Sequence, residues 1–575
     1  MAQETDTSTM PDAESPSSAG AARYSMDDLV ALCKRCAFIF PASEIYGGIN
    51  GFWDFGPRGV ALKNNLRDRW WRDMVECPPM GTPGLTDGGP LSIVGVDTAI
   101  IQNPKVWEAS GHVGGFNDPM RKCTRCGHLI RADQLWDTLV TWSVWFNSMI
   151  QEFKPAPVPT KYPSLDSGHL IKWARTAGKR LAPNLALVRN PEVTLTWLAT
   201  RINGQPDAPP DVIEIARYVA TEQLHATGLQ DPCPKCGGEL GQAEPFKLMF
   251  ETWAGLTQTD DNRVFLRPET AQGIFTNFRN IVDTMRVKVP FGIAQVGKSF
   301  RNELTPRNFI FRAREFEQME MEWFCHPDSA REWYDYWVEQ RLTWWKSVGL
   351  TSANLQRRDH EADELAHYST ACADVEYRYP FSGPGFNELE GIAHRGCFDL
   401  DAHQKASGAK LEYFDQDLQV KLQAEGKSKD EINARARYLP HVIEPAAGLT
   451  RGVLALLCEA YTPDPGRPST VYMKFHPAMA PIKAGVFPLV NKDGMPEIAA
   501  NLHERLRRRY ACQYDAKQSI GKRYARMDEA GTPYSFTIDG DTLTDQTVTV
   551  RDRDTASQER IGIDRVEAYL AERIG

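Results

Sequence analysis

The residues best equipped for chemistry gather in Gly297 to Phe324, GKSFRNELTPRNFIFRAREFEQMEMEWF, which packs four arginines and five glutamates between aromatic and aliphatic positions. Alternation at Phe309 with Phe311, and at Met319 with Met321, predicts two strands, Gln295 to Arg301 and Phe309 to Phe324. The loop between them is Asn302 to Asn308, with Pro306 inside it. Strand geometry would put Arg312, Arg314, Phe316, Gln318 and Glu320 on one face, and Phe311, Glu315, Glu317 and Met319 on the other. Arginines and carboxylates sharing a face with an aromatic ring need a highly charged partner, because such groups are costly to bury unpaired. The plainer alternative is a salt-bridged solvent face.

Three further stretches carry chemistry. Glu269 follows Pro268 at the start of a predicted helix, Glu269 to Phe278, where an acidic side chain suits the helix dipole. Strands are predicted just before it, at Phe246 to Thr252 and Val264 to Leu266. In His441 to Tyr461 a strand ends at Glu444, Gly448 turns the chain, and Thr450 can cap a helix with an apolar stripe through Val453, Leu456 and Leu457. Arg451 in that first turn opposes the helix dipole and so hints at an external anion. Cys123-Thr-Arg-Cys126-Gly and Cys233-Pro-Lys-Cys236-Gly-Gly each place two thiols on a glycine-opened turn, the geometry of half a tetrahedral zinc site. Four sulfurs would leave no open position, so such a zinc would be structural. Cys33 and Cys36 have the same spacing, but they sit in a helix pattern with no glycine turn, which favours buried thiols over a metal.

These residues need a scaffold, and 575 residues allow two to four domains of ordinary soluble composition, 42% hydrophobic and 25% charged. The 66 basic and 75 acidic residues leave a net charge of −9, so an RNA partner would depend on local basic patches. No window is apolar and long enough to span a membrane. Met1 to Ala22, rich in Ser, Ala and Pro, reads as a disordered tail rather than a signal, consistent with a cytoplasmic chain. A helix from Met26 to Cys36 has Ser25 as N-cap. It is followed by a turn-rich platform punctuated by Gly47, Gly48, Gly51, Gly56 and Gly59, and by a helix from Val60 to Trp71. Asp137 to Asp231 reads as an inserted subdomain with four tryptophans, either structural or touching RNA. Ser329 to Ser347 is a core helix. From about Lys474 an α/β alternation takes over: strands Ala484 to Leu489, Tyr534 to Asp539 and Thr547 to Asp552, and helices Glu497 to Tyr510, Ser519 to Asp528 and Gly562 to Arg573. Its HERLRRRY and GKRYARMDEAGTPY segments offer cations beside tyrosines.

The Gly297 to Phe324 stretch resembles motif 2 of class II aminoacyl-tRNA synthetases, with FRNE ending one strand and R-x-x-x-F at Arg312 to Phe316. IYGGINGFWDFGPRGVALKNNL resembles the sequence around motif 1, GLTR resembles motif 3, and RPETAQ, ELEGIA-x-R and WEASGHVGGFNDP narrow the resemblance to glycyl-tRNA synthetases of the dimeric type. The resemblance implies an α+β fold: an antiparallel catalytic sheet flanked by helices, an inserted subdomain, and a C-terminal α/β anticodon-binding domain. The expected layout is a tail at 1–22, catalytic core at 23–136 and 232–473, insertion at 137–231, and anticodon-binding domain at 474–575. It further implies a homodimer that uses ATP with Mg²⁺ to activate glycine and then charges tRNA(Gly), with structural zinc on the four cysteines. By motif, Arg301 would hold the α-phosphate, Arg451 the γ-phosphate and one adenine face, Phe316 the other face and Glu303 the adenine edge. Arg312 is a further phosphate contact, and Asn302, Phe311, Leu389 and Gly448 belong to the same nucleotide set. Glu388, with Glu390 on the same strand face, would hold Mg²⁺. Glu269, Gln318, Glu320 and Glu444 would grip the glycine ammonium beside Phe316 and Gly448, and Arg131 aligns with an arginine near substrate. Ala446 stands where the family usually has Ser, and Cys397 where a polar residue is common. A non-catalytic RNA-binding protein on the same fold is the competing reading, but such a protein would be expected to lose Arg301 and Arg451.

Overall fold

The computed structural model describes residues 24–131 and 241–574, except 83, 87, 362, 363, 366–368 and 384. The tail, the 137–231 insertion and the second cysteine pair, Cys233 and Cys236, lie outside the described residues. Those that are described divide into two units, 24–113 with 249–574, and 114–131 with 241–248.

The first unit is organised on a seven-stranded sheet. Its strands are β1 (Ile93–Gly95), β2 (Phe291–Phe300), β3 (Glu315–Cys325), β4 (Leu355–Asp359), β5 (Ala371–Tyr377), β6 (Asn387–Gly396) and β7 (His441–Gly448), in the spatial order β4-β5-β6-β7-β3-β2-β1. All neighbours are antiparallel except β1, which runs parallel to β2. The two-residue period of β3 decides what the sheet holds on each side. Met319, Met321, Trp323 and Cys325 enter the main hydrophobic core, while Gln318, Glu320 and Glu322 take the opposite face, all of them buried.

Three helices cover the apolar face: α2 (Pro57–Trp71), α4 (Ala330–Ser347) and α5 (Leu449–Ala460). Leu62 and Leu66 of α2, Trp337 and Trp345 of α4 and Val453, Leu454 and Leu457 of α5 are fully enclosed. Each such aliphatic side chain contributes about 1.5–3 kcal/mol of transfer free energy. The helices approach closely at Gly452, where a Cβ would stand 2.8 Å from Trp345 and 2.9 Å from Leu66. α1 (Met26–Arg35) starts with a reciprocal capping box between Ser25 and Asp28, and it buries Cys33 with the adjoining Cys36 in the same core. Helix α2 starts at Pro57, three residues before the sequence suggests, because proline fits the first helical position without losing a hydrogen bond. α3 (Ala271–Met285) lies on the other face, where Ile274, Phe275 and Phe278 pack with Phe291 and Phe324.

The predicted second strand of the hairpin needs correction. Phe309–Phe311 is a 3₁₀ turn, entered through positive φ at Asn308 and Phe309, and β3 starts only at Glu315. Long-range packing overrides the local alternation: Phe309 sits edge-on to Trp53 at 4.7 Å and Ile310 is 1% exposed. Arg312 and Arg314 consequently leave the strand. The Arg314 N–H donates to the Gly51 carbonyl at 2.8 Å, and its guanidinium donates to the Asn50 and Glu303 carbonyls, tying the loop to the glycine-rich platform.

The C-terminal residues form a second sheet with its own core, from β8 (Ala484–Pro488), β9 (Cys512–Tyr514), β10 (Tyr534–Ile538), β11 (Thr547–Asp552) and β12 (Gln558–Gly562) in the order β9-β8-β10-β11-β12. Helices α6 (Met495–Leu506), α7 (Ile520–Ala530) and α8 (Val566–Ile574) accompany it. The sequence misses β9 and β12, the two edge strands, which have one open side and so show little apolar alternation. Part of the basic character is satisfied internally, Arg505 by Glu567 at 3.1 Å and Arg507 by Glu504 at 3.4 Å.

In the second unit, Asn117–Lys122 pairs antiparallel with Leu129–Arg131 and with Glu244–Lys247. The predicted strand Phe246 to Thr252 is therefore two strands, the second being Glu251–Trp253. Arg131 pairs with Asp118 at 2.9 Å. Cys123 and Cys126 flank a tight turn in which the Gly127 N–H donates to the Cys123 carbonyl at 3.0 Å, with Gly127 at φ +69°.

Candidate active site

A cavity of about 360 Å³ opens on the polar face of the sheet, over β3, β6 and β7. It has two chemically distinct parts.

The cationic part is built where β2, the hairpin loop and the start of α5 converge. Arg301, just past β2, donates from Nε to the Pro268 carbonyl at 3.0 Å, and its guanidinium lies 5.4 Å from the Phe316 ring centroid. Arg312 donates from Nε to Glu303 Oε2 at 2.7 Å. Arg451 lies over the Phe311 ring at 4.6 Å, donates from Nε to the Phe311 carbonyl at 3.2 Å, and brings Nη1 to 3.0 Å from Glu388 Oε2. Phe311 is itself held edge-on by Tyr379 and Phe381. The structure therefore brings three guanidinium groups and two aromatic rings together, a combination that fits a purine on the rings and a polyphosphate among the cations. The Arg451 guanidinium holds the Glu388 carboxyl below its ordinary range. The cap of α5 is Gly448, not Thr450, and no side chain caps it. The Thr450 hydroxyl instead accepts from the Glu317 N–H at 3.0 Å, and Gly448, Thr450 and Arg451 at the start of α5 line the cavity, where a helix N-terminus favours an anion.

One expectation about β6 fails. Glu388 lines the cavity, but Glu390 does not share its face: it is 1% exposed, accepts from Arg341 Nε at 2.7 Å and from the Trp345 indole at 2.5 Å, on the core side. Between them the register slips, with Glu388 opposite Glu376 and Glu390 opposite Val375, so the strand carries an extra residue and its alternation reverses. Leu389 is also in the core, which leaves only its backbone for a ligand. Asn302 does not line the cavity among the described residues. Cys397 precedes the helix Phe398–Ser407 and is likewise outside the lining.

The anionic part is a set of carboxylates in the sheet centre. Register places Gln318 opposite Gly448, and Glu320 opposite Ala446, with Gly391 on the other side of Ala446. Glu269 reaches in from the turn before α3, and Glu444 from β7. Burial pushes the Glu320 carboxyl well above its ordinary range, reinforced by Glu444 and Glu269, even though the Thr270 hydroxyl donates to it. Burial raises Glu444 as well, opposed by the Arg395 guanidinium that donates to it. Burial also works against ionisation of Glu269, but there it loses to His112 at 3.4 Å, to Arg395 and to Gln272 Nε2 at 3.0 Å, which together hold that carboxyl below its ordinary range. The Gln318 Oε1 is buried and has no hydrogen-bond partner among the described residues. Such a pocket of acceptors suits a small cation with several N–H donors.

Sequence reading misses two positioning groups. His112, oriented by Ser110 Oγ at 2.8 Å, braces Glu269. Arg395 makes a two-pronged contact with Asp399 at 2.7 and 2.9 Å while reaching Glu444. Both lie inside words quoted above, WEASGH and ELEGIA-x-R, but only their distant partners reveal what they do.

Residues 250–461 match the family model "tRNA synthetase class II core domain (G, H, P, S and T)", and residues 483–573 match "Anticodon binding domain". The chain is 43% identical to a glycine–tRNA ligase of Rhodopirellula baltica over 96% of this chain and 99% of that one. It is 40% identical to the glycine–tRNA ligases of Acetivibrio thermocellus, over 95% and 98%, and of Thermobifida fusca, over 96% and 98%. Among solved structures, prolyl-tRNA synthetase from Cryptosporidium parvum superposes with a TM-score of 0.54 over 96% of this chain and 77% of that one, at 11% identity, a likeness of fold alone. The antiparallel sheet, its arginine and carboxylate sites and these full-length relatives lead to one assignment: the chain belongs to the glycine–tRNA ligase family of class II aminoacyl-tRNA synthetases.

Proposed function

We propose that the cavity joins glycine to ATP and passes the glycyl group to tRNA(Gly). The glycine carboxylate attacks the α-phosphorus in line, the bond to the β,γ-phosphates breaks, and pyrophosphate leaves. The ribose hydroxyl at the tRNA 3′ end then attacks the glycyl carbonyl and releases AMP. No protein nucleophile is needed, because catalysis consists of alignment and of neutralising charge that builds on the phosphates. Arg301 takes the α-phosphate, Arg312 assists, and Arg451 turns from Glu388 towards the γ-phosphate. Adenine sits against Phe316, with Phe311 behind Arg451 and Glu303 at its edge. Glu388 would supply a carboxylate to ATP-bound Mg²⁺, which would neutralise phosphate charge.

The observation that carries the amino-acid assignment is the buried set Glu269, Gln318, Glu320 and Glu444 beside the arginines. It offers an ammonium several acceptors, and its side chains occupy the space a larger substrate would need. Glycine cannot be selected by extra contacts, so larger amino acids must be excluded by clash with their Cβ.

Two partners and a metal complete the reading. Ile45 and Tyr46, 88% and 86% exposed in the motif 1 platform, form an apolar pair that a second copy would cover in a homodimer. The Cys123 to Gly127 turn supplies half of a structural zinc site whose other half would be Cys233 and Cys236. Among the described residues no helix is long and apolar enough to cross a membrane, and we place the enzyme in the cytoplasm with its tRNA. The test is amino-acid-dependent exchange of pyrophosphate into ATP. Glycine should drive it while alanine and serine do not; exchange with serine or threonine but not glycine would overturn the assignment.

A further inference from the structure

Glu322 has no role in the scheme above, and its surroundings are hard to explain as packing. It follows Gln318 and Glu320 at two-residue spacing along β3, and it is 0% exposed. Neither of its carboxyl oxygens has a hydrogen-bond partner among the described residues. One carboxyl oxygen each from Glu320, Glu322 and Glu444 lies within 4.8 Å of the others. An isolated buried carboxylate is among the costliest groups a fold can hold, and a retained one needs a reason.

The groups facing it come from every neighbouring element. Glu320 shares its strand, Glu444 stands on β7, Arg395 on β6 and Asp399 in the helix after it. Glu269 faces Glu320 and Glu444 from the turn before α3, with His112 beyond it. That makes five carboxyl groups around one guanidinium and one imidazole. The guanidinium is already engaged by Asp399 and Glu444, and the imidazole by Glu269. With Glu320, Glu322 and Glu444 this close and the nearest cations already shared, full ionisation of those three is disfavoured, so a proton stays on that set. Burial first, then Glu444 and Glu320, raises the Glu322 carboxyl well above its ordinary range.

Resting on the assignment of glycine to this site, we infer that Glu322 is its positioning residue: the Glu320, Glu322 and Glu444 set holds a proton while the site is empty and gives it up to solvent as the glycine ammonium enters. The glycine enters and stays as the zwitterion, so one cation replaces another and the buried charge remains balanced. Glu322 never touches the ligand. It acts on Glu320 and Glu444 by charge alone, neutral while it holds the proton and adding its negative charge to theirs when the ammonium arrives.

The experiment is calorimetric titration of the full-length protein with glycine near neutral pH in buffers of different ionisation enthalpy, where the slope of observed heat against that enthalpy counts protons. The wild type should release between about half and one proton per glycine, and the KM for glycine in pyrophosphate exchange should fall as pH rises, by up to about tenfold per unit. Glu322→Gln cannot titrate, so its slope should drop below about 0.2 and its KM profile flatten, with KM near neutral pH within roughly threefold of wild type. Glu322→Asp retains a carboxyl and should retain the slope. A role in packing alone would alter stability without moving the proton count. Glycine binding with zero slope in the wild type overturns the inference, as does a wild-type slope in Glu322→Gln. If Glu322→Gln does not fold, the wild-type slope and Glu322→Asp decide. If glycine neither binds nor drives exchange, the assignment of the site has failed, and the inference with it.

Discussion

Replacing Arg395 by Met would test whether the anionic half of the site is held by one cation. Arg395 is 3% exposed, contacts Asp399 through Nε and Nη2 at 2.7 and 2.9 Å, and donates from Nη1 to Glu444. Methionine fills much of the volume but leaves Asp399, 2% exposed, and Glu444 without their counter-charge. Breaking a buried pair in this way costs about 3–5 kcal/mol, because the surviving charge keeps its desolvation penalty. For a catalytic core of this size that corresponds to a fall in melting midpoint of about 4–7 °C. Glycine-dependent pyrophosphate exchange should fall by roughly a hundredfold or more, the equivalent of about 3 kcal/mol, since Glu444 loses its orientation. The sign of the pH effect follows. In the variant, the folded-state affinity of Glu444 for a proton rises further above its unfolded value, so the penalty is largest near neutrality and shrinks as pH falls and the carboxyl is neutralised. Arg395→Lys keeps the charge but not the two-pronged contact and should fall between wild type and Met. Differential scanning of both variants at two pH values, with exchange assays on the folded material, is the measurement. A Met variant that melts within about 2 °C of wild type with unchanged exchange would refute the argument.

Ala446→Ser adds a hydroxyl to the cavity wall between Glu320 and Gly391; one new hydrogen bond of about 0.5–1.5 kcal/mol should lower the KM for glycine by roughly 2–10-fold in the exchange assay. Metal analysis should find about one zinc per chain, lost in the double variant Cys123→Ala with Cys126→Ala, while pyrophosphate exchange stays within a few-fold of wild type because a four-sulfur site would leave the metal no open position for substrate. Lys483, buried against the Pro477 and Ala478 carbonyls, has its ammonium pushed down to about 7 by burial. Its folded value lies below the unfolded 10.5, so stability should rise with pH between those two values, and Lys483→Met should remove that rise in denaturation midpoints measured across the window.

Much of this protein is legible in its sequence because its reactive groups are carried by short local words. Arg301 with Glu303, Glu269 after Pro268, Glu444 ahead of Gly448 and Arg451 just beyond it are each set by a few neighbouring residues, and strand period alone puts Gln318 and Glu320 together opposite Met319 and Met321. Only the tertiary structure decided the rest, wherever the outcome depends on a partner far along the chain. The extra residue at Leu389 turns Glu390 into the core, the packing of Phe309 on Trp53 shortens β3, and the Glu317 N–H draws Thr450 away from capping α5. The same holds for His112 beneath Glu269, for Arg395 between Asp399 and Glu444, and for Glu322. A sequence states which groups can ionise, but which of them do is set by burial and by the charges that folding brings within a few ångströms.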